Sequence, residues 1–147
     1  MEEKKPSVDV IVCHHVGRYL LNRCIESVQK QEGVTVHLII VTSDDTLHLT
    51  EPFVTQLFSK EGPASKRNFG IRFAKTKFIA FLDDDVELSP YCLYEMFSCL
   101  KDNPKVGMCY AKILKMDKRD IFDDAGSYLT WTGFLWARAE NGVKDTG

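Results

Sequence analysis

The chain has 147 residues, of which 44% are hydrophobic and 27% are charged, and its formal net charge is -2. This composition predicts one soluble globular domain, and it offers no basic excess for nucleic acid or an anionic membrane. No apolar run approaches the roughly 20 residues of a membrane helix, and the N-terminus lacks the apolar core of a signal peptide. We therefore expect a cytoplasmic protein whose chain has no transmembrane segment.

The first third of the chain alternates strand and helix patterns. Residues 8–13 form a β-branched run that predicts a strand, and apolar residues three and four apart predict a helix over 18–31. A second strand is expected over 34–42. Residues 47–60 give a weaker pattern, in which we expect a short helix after Pro52.

The alternation resumes after the helix breaker Gly62-Pro63. A helix is predicted over 64–74, with Phe69, Phe73 and Ala74 facing inward. The strand predicted over 77–82 is apolar on both faces, which is typical of a central strand in a mostly parallel sheet.

Ser89 and Pro90 have the residue types of an N-cap and a first helical position, and they predict a helix that ends near residue 102. A further strand is expected over 106–113. This order predicts an α/β fold with a mostly parallel sheet and helices on both faces. We interpret residues 1–113 as one α/β region and residues 114–147 as the start of a separate segment.

The cysteines do not indicate disulfides or a zinc site. Their number is odd, their spacing is irregular, and no pair has the C-x-x-C spacing. We expect most of them to be small buried residues, except Cys13, which lies at the end of the first strand. The five are Cys13, Cys24, Cys92, Cys99 and Cys109.

Three of the predicted strands end in polar or ionisable residues. These ends are Cys13-His14-His15, residues 42–45 and residues 83–85. Ligands of open α/β sheets bind at the carboxyl ends of the strands. If the strands are parallel, the three ends lie on one edge and form a candidate binding site.

Asp83, Asp84 and Asp85 are the sharpest feature of the sequence. Three adjacent carboxylates repel one another, and a hard divalent cation such as Mg²⁺ or Mn²⁺ would compensate them. In an extended segment Asp83 and Asp85 point one way and Asp84 points the other. The alternative is a solvated turn before the next helix, whose N-terminus also favours acidic residues. The spacing alone favours neither interpretation.

Several segments resemble glycosyltransferase family 2. Residues 77–86 (KFIAFLDDDV) look like the strand and D-x-D element of that family, and residues 62–71 (GPASKRNFGI) resemble its helix start. Together with residues 8–31 and 34–45, these segments follow the family's order over most of the chain. The resemblance implies a GT-A fold that is incomplete on the acceptor side, and a nucleotide-diphosphate sugar as donor, with a UDP-sugar favoured.

The resemblance also implies roles for the residues of these motifs. Asp85 would bind Mn²⁺ or Mg²⁺ at the diphosphate. Asp83 would contribute to the metal site or face the ribose or the donor sugar, with Asp84 close by. Arg67 and Asn68 would either bind the donor or brace the aspartate loop. Residues 1–113 would then bind the nucleotide sugar, and residues 114–147 would begin the acceptor side.

Two departures from the family pattern affect the expected nucleotide contacts. Cys13, His14, His15 and Val16 replace a Pro-Thr-Tyr-Asn-like loop, so Cys13 and His15 become candidate donor contacts, with His15 where an aromatic residue often stacks on the base. His15 is alternatively an ordinary loop histidine. In the family, the turn after the second strand begins with an aspartate, whereas here Thr42 and Ser43 come first. Asp44 is therefore the candidate donor contact of this turn.

The acceptor and the catalytic base are not assigned from the sequence, and the acceptor class is left as saccharide, lipid or protein. Other functions remain open: a nucleotide- and metal-binding domain without turnover, a metal-dependent nucleotidyltransferase, or a structural α/β domain. A run of aromatic residues is interpreted as an acceptor surface, as core, or as a surface exposed by truncation. It consists of Tyr128, Trp131, Phe134 and Trp136.

Overall fold

A computed structural model describes residues 5–138 and 143–145. The described chain divides into two compact units, Met1–Ser98 and Cys99–Gly147. This boundary, between Ser98 and Cys99, lies closer to the N-terminus than the boundary expected after residue 113. The main elements, in chain order, are β1 (Ser7–His14), α1 (Tyr19–Gln29), β2 (Thr35–Thr42), β3 (Val54–Phe58), α2 (Pro63–Ile71), β4 (Phe78–Asp83) and α3 (Cys92–Asp102).

The first unit is built on a four-stranded parallel sheet in the order β3-β2-β1-β4. One face packs on α1 and α3, where Val10 and Leu38 meet Leu21 and Leu93 in the larger apolar core. On the other face Ile11, Ile39 and Val41 pack against Phe69 and Ala74. The expected parallel sheet with helices on both faces is confirmed.

Gly70 allows α2 to lie close to the sheet. A Cβ atom at this position would lie 2.7 Å from Ile11 Cγ2, which is closer than carbon atoms approach in proteins. Glycine at this position therefore sets the distance between α2 and the sheet. That distance in turn fixes where the side chains of α2 lie relative to the carboxyl ends of the strands.

Asp9, near the amino end of β1, is hydrogen-bonded to the loop that follows α2. Its side chain is fully buried, its Oδ2 accepts the backbone N–H groups of Lys75 and Thr76 at 2.8 and 2.6 Å, and its Oδ1 lies 2.7 Å from His37 Nδ1. Burial raises the pKa of Asp9, but the hydrogen bonds from His37, Thr76 and Lys75 outweigh it and the pKa is lowered. The carboxylate is therefore ionised and bonded within the fold.

The structure corrects two strand predictions in this sheet. Residues 54–58 form β3 and not a helix after Pro52, because they pair with β2 as a parallel edge strand. β4 is not a central strand: it is the other edge, and Ile79 and Phe81 are 36% and 48% exposed on one face. An apolar run shows that both faces of a strand are suited to burial. Whether both faces are in fact covered depends on the strand's position in the sheet.

Further differences concern element ends and burial. α3 begins at Cys92, two residues after Pro90, and the Cys92 N–H donates to the Ser89 carbonyl at 3.0 Å. Phe73 was expected inside but is 40% exposed, since it lies beyond the end of α2. Of the cysteines only Cys24 is fully buried.

The second unit contains short antiparallel pairs in place of the expected strand over 106–113. β5 is only Ile113–Leu114 and pairs with β6 (Phe122–Asp124), because residues 106–112 join no ladder in the described structure. β7 (Ser127–Leu129) and β8 (Leu135–Ala137) form a hairpin. All four aromatic residues of the run over 128–136 are exposed, Trp131 by 97%, which excludes the interpretation as core. No helix among the described residues is long and apolar enough to cross a membrane.

Candidate functional site

The parallel register brings the three polar strand ends to one edge. Cys13 of β1 pairs with Val41 of β2 on one side and with Asp83 of β4 on the other, and His14 pairs with Thr42. The strands therefore end level with one another, as expected from their parallel direction. We call this group of strand ends, with the residues of α2 that reach it, the carboxyl edge.

The aspartate triplet is not one extended segment, because Asp84 and Asp85 form a turn directly after Asp83. β4 ends at Asp83, and the chain folds back so that the Val86 N–H donates to the Asp83 carbonyl at 3.4 Å. Asp83 and Asp85 are nevertheless both exposed, while the Asp84 side chain is 31% exposed and its Oδ2 lies 4.0 Å from His14 Nε2. Two of the carboxylates thus face solvent, and Asp84 lies deeper.

Arg67 reaches the carboxyl edge from α2. Arg67 Nη2 donates to Asp83 Oδ1 at 2.9 Å, in an ion pair whose two side chains are 38% and 64% exposed. Asn68 is exposed. Arg67 is therefore paired with the aspartate turn, an exposed pair of this kind adds little stability, and both roles expected of Arg67 stay predictions.

His14 is a fully buried residue of the edge and not a ligand facing solvent. Its Nε2 lies 2.8 Å from the Gly17 carbonyl and its Nδ1 lies 2.8 Å from Thr42 Oγ1. The carbonyl can only accept, so Nε2 carries a proton; Thr42 then donates to Nδ1 and accepts the Asp44 N–H at 2.9 Å. This network fixes the loop after β1 against the end of β2.

Lys66 is a functional candidate that the sequence did not single out. It is 4% exposed, and its Nζ donates to the His14 carbonyl at 2.6 Å and to Ser43 Oγ at 3.1 Å. Ser43 Oγ in turn lies 2.8 Å from Nδ1 of the exposed His15. In the sequence, Lys66 has the pattern of a solvent-exposed helix residue. Its burial follows only from the packing of α2 on the sheet.

The side chains of Asp44 and Cys13 each make polar contacts with nearby protein groups. Asp44 Oδ1 accepts the N–H and the hydroxyl of Thr46 at 2.9 and 2.6 Å, and these two bonds lower the pKa of Asp44. Cys13 Sγ lies 3.5 Å from the Pro63 carbonyl. Burial raises the pKa of the Cys13 thiol, against the opposing effect of Arg67 and Lys66. Both lie at the carboxyl edge, and their expected donor contacts remain predictions.

The electrostatic field of the triplet is visible at Cys24, which lies behind it on α1. Its Sγ is 3.7 Å from the Asp83 carbonyl. Burial, and after it the negative charges of Asp84, Asp85 and Asp83, raise the pKa of this thiol to about 12. The three carboxylates therefore add to the effect of burial on this thiol.

The donor set suits a hard divalent cation bound by few protein ligands. The described residues hold no cluster of three or more histidine, cysteine or carboxylate ligands. Asp83 and Asp85 offer exposed carboxylate oxygens, and Mg²⁺ commonly takes one or two protein carboxylates and completes its shell with water and phosphate oxygens. The residues present fit a metal of that kind, and they do not fit a closed structural site.

The family model of glycosyl transferase family 2 matches residues 9–139, which is most of the chain. The chain belongs to glycosyltransferase family 2. It is 35% identical over 103 residues to the succinoglycan biosynthesis protein ExoO of Rhizobium meliloti, and 32% identical over 96 residues to the GalNAc(5)-diNAcBac-PP-undecaprenol beta-1,3-glucosyltransferase of Campylobacter jejuni. These matches cover 64% and 56% of this chain but only 30% and 31% of the relatives.

Solved structures show the same fold. The crystal structure of S. aureus TarS matches with a TM-score of 0.56 at 19% identity, over 65% of this chain and 20% of TarS. A crystal structure of residues 1–349 of TarS in complex with UDP-GlcNAc matches with a TM-score of 0.55 at 17% identity, over 77% of this chain and 42% of that one. The expected fold class is confirmed, and this chain matches less than half of each of these structures.

Proposed function

We propose that the carboxyl edge binds the nucleotide-diphosphate sugar of a metal-dependent glycosyltransferase, and that the complete protein transfers this sugar to a saccharide, lipid or protein acceptor. The observation that carries the proposal is the level ending of β1, β2 and β4, which brings His15, Asp44 and the aspartate turn to one edge. The family supports sugar transfer, and the UDP-GlcNAc complex of TarS supports a UDP-sugar donor. A cytoplasmic location stays a prediction.

The residues of the edge have distinct tasks in this proposal. Asp85 and Asp83 hold Mn²⁺ or Mg²⁺, which when bound supplies a Lewis acid that stabilises the nucleoside diphosphate as it leaves. Arg67 keeps Asp83 in place through its ion pair. Cys13, His15, Asp44 and Asn68 border the space for the nucleotide, and Asp84 supports the turn from the side of His14.

Catalysis by this chain alone is a separate question from binding. The chain spans about a third of the curated relatives that it matches, and no residue is assigned as catalytic base. Binding without turnover is therefore the expected behaviour of the isolated chain, and turnover is expected of the protein with its acceptor half.

Calorimetric titration of UDP with Mn²⁺, and again with EDTA, tests the donor site. We expect binding that requires the metal and is lost in Asp85→Ala, while the control Asp117→Ala, an exposed aspartate of the second unit, binds like the wild type. GDP and dTDP in the same format test the choice of base. If none of the three nucleotides binds in the presence of metal, the aspartates are a solvated turn and the proposal is wrong.

A further inference from the structure

Lys66 is a buried cation whose hydrogen bonds constrain its neighbours. Burying an ammonium group is unfavourable unless acceptors surround it, and here the acceptors are the His14 carbonyl at 2.6 Å and Ser43 Oγ at 3.1 Å. An ammonium group has only donors. Ser43 Oγ therefore accepts a hydrogen bond from Lys66, and its own proton is directed elsewhere.

The Ser43 hydroxyl has two acceptors within reach. His15 Nδ1 lies at 2.8 Å and the His15 carbonyl at 3.4 Å. The longer distance lies outside the usual 2.5–3.0 Å of O–H···O bonds, and the shorter one is a normal hydrogen bond. The ammonium group also polarises the hydroxyl and makes it a better donor. The proton of Ser43 therefore goes to His15 Nδ1.

This arrangement decides the tautomer of His15. If Nδ1 accepts, a neutral imidazole carries its proton on Nε2. His15 is exposed, and within residues 5–138 and 143–145 its Nε2 makes no hydrogen bond. The ring thus presents an N–H donor to solvent at the end of β1, where Cys13 is paired with Asp83.

We propose that Lys66 is a positioning residue that, through Ser43, holds His15 as a hydrogen-bond donor for the nucleotide. The partner of His15 Nε2 is an acceptor oxygen of the donor substrate, on its base or on a phosphate. Stacking of the His15 ring on the base would not need this relay, so the proposal gives His15 a role that a phenylalanine cannot replace. Only this last step rests on the donor site proposed above.

The relay can be tested without any ligand by ¹⁵N NMR of the four histidines, about two pH units above the ordinary imidazole pKa of about 6.5. The structure supplies internal references, since His14 carries its proton on Nε2 and His37 carries it on Nδ1, facing Asp9. We expect the Nε2-protonated form for His15 in the wild type and in Lys66→Arg. In Lys66→Met and Ser43→Ala we expect a mixture of tautomers.

The reference signals of His14 and His37 also report whether each variant is folded. If Lys66→Met does not fold, the wild-type spectrum and Ser43→Ala still decide the question. A wild-type His15 protonated on Nδ1, or a His15 tautomer that is unchanged in both Ser43→Ala and Lys66→Met, overturns the proposal.

The second test is titration of UDP with Mn²⁺ into His15→Phe, which keeps an aromatic ring but has no N–H donor. We expect binding about tenfold weaker, the equivalent of one hydrogen bond of about 1.4 kcal/mol, and a smaller loss in Lys66→Met. His48→Phe, at an exposed histidine, is the control. A loss that persists with uridine assigns the bond to the base, and a loss seen only with UDP assigns it to a phosphate.

The two proposals fail in different ways. If the wild type binds UDP and His15→Phe binds equally well, His15 only stacks and the inference is wrong while the donor site stands. If the wild type binds no nucleotide, the donor site is wrong, and the NMR spectrum still decides whether Lys66 and Ser43 set the tautomer of His15.

Discussion

Asp9 offers a sharp test of the packing argument, because asparagine and alanine should destabilise the fold to different extents. The carboxylate accepts two backbone N–H groups on Oδ2 and faces His37 Nδ1 with Oδ1. An asparagine can turn its oxygen to Lys75 and Thr76 and its amide to His37. His37 can then move its proton to Nε2 and donate to Thr55 Oγ1, which lies 2.8 Å away.

Asp9→Asn therefore loses the charge of the acceptor but keeps a partner for the N–H groups of Lys75 and Thr76 and for His37, at the cost of one spare amide N–H. We expect it to lower the free energy of unfolding by about 1–3 kcal/mol, the range for one charge-assisted hydrogen bond. Asp9→Ala leaves the N–H groups of Lys75 and Thr76 without their acceptor. At about 1–3 kcal/mol for each of these two unpaired groups, its total should be about 2–6 kcal/mol.

Urea denaturation followed by far-ultraviolet circular dichroism measures both values, because this signal comes from the backbone and both tryptophans, Trp131 and Trp136, belong to the second unit. The pH dependence gives a second readout. Because the folded pKa of Asp9 is lowered, its stabilisation is present above the unfolded value of about 3.9 and is lost as the pH falls through the folded pKa. The acid-induced loss should be smaller in Asp9→Asn. The reasoning would be refuted if the two variants lowered the free energy of unfolding equally, or if Asp9→Asn lost stability at acidic pH as steeply as the wild type.

Three other substitutions or measurements test separate contacts. Gly70→Ala should lower stability by about 1–2 kcal/mol, since overpacking against Ile11 Cγ2 costs about 1–3 kcal/mol and alanine returns up to about 1 kcal/mol of helix propensity; Ile11→Leu, which lacks that atom, should recover part of the loss in a double-mutant cycle. Cys24, with its pKa raised to about 12, should resist a thiol reagent at about pH 8 in the folded protein, while the exposed Cys99 reacts. Arg67→Met should change the free energy of unfolding by less than about 1 kcal/mol and weaken nucleotide binding more clearly; an equal effect on both would contradict its role at the site.

The sequence predicted best what depends on neighbouring residues. The end of an apolar run marks where a strand stops, so the positions of His15 and the aspartate triplet at one edge followed once the strands were taken as parallel. What it missed depends on partners distant in the chain. The exposed face of β4 follows from its place at the edge of the sheet, and the burial of Lys66 follows from the depth at which α2 packs. Neither is encoded in the pattern of the segment itself.

The balance of charge at the carboxyl edge bears on the order in which ligands bind. Asp83, Asp84 and Asp85 outnumber Lys66 and Arg67, the cations that α2 brings to this edge, and Lys66 is buried with both of its hydrogen bonds directed to protein acceptors. Arg67 is already paired with Asp83. A free diphosphate would therefore meet a surface that repels it, and a divalent cation would be attracted first. In the proposed function the cation must bind before or together with the nucleotide, so the apparent affinity for UDP should rise with Mn²⁺ concentration until the metal site is saturated, and uridine, which carries no phosphate, should show a much weaker dependence on the metal.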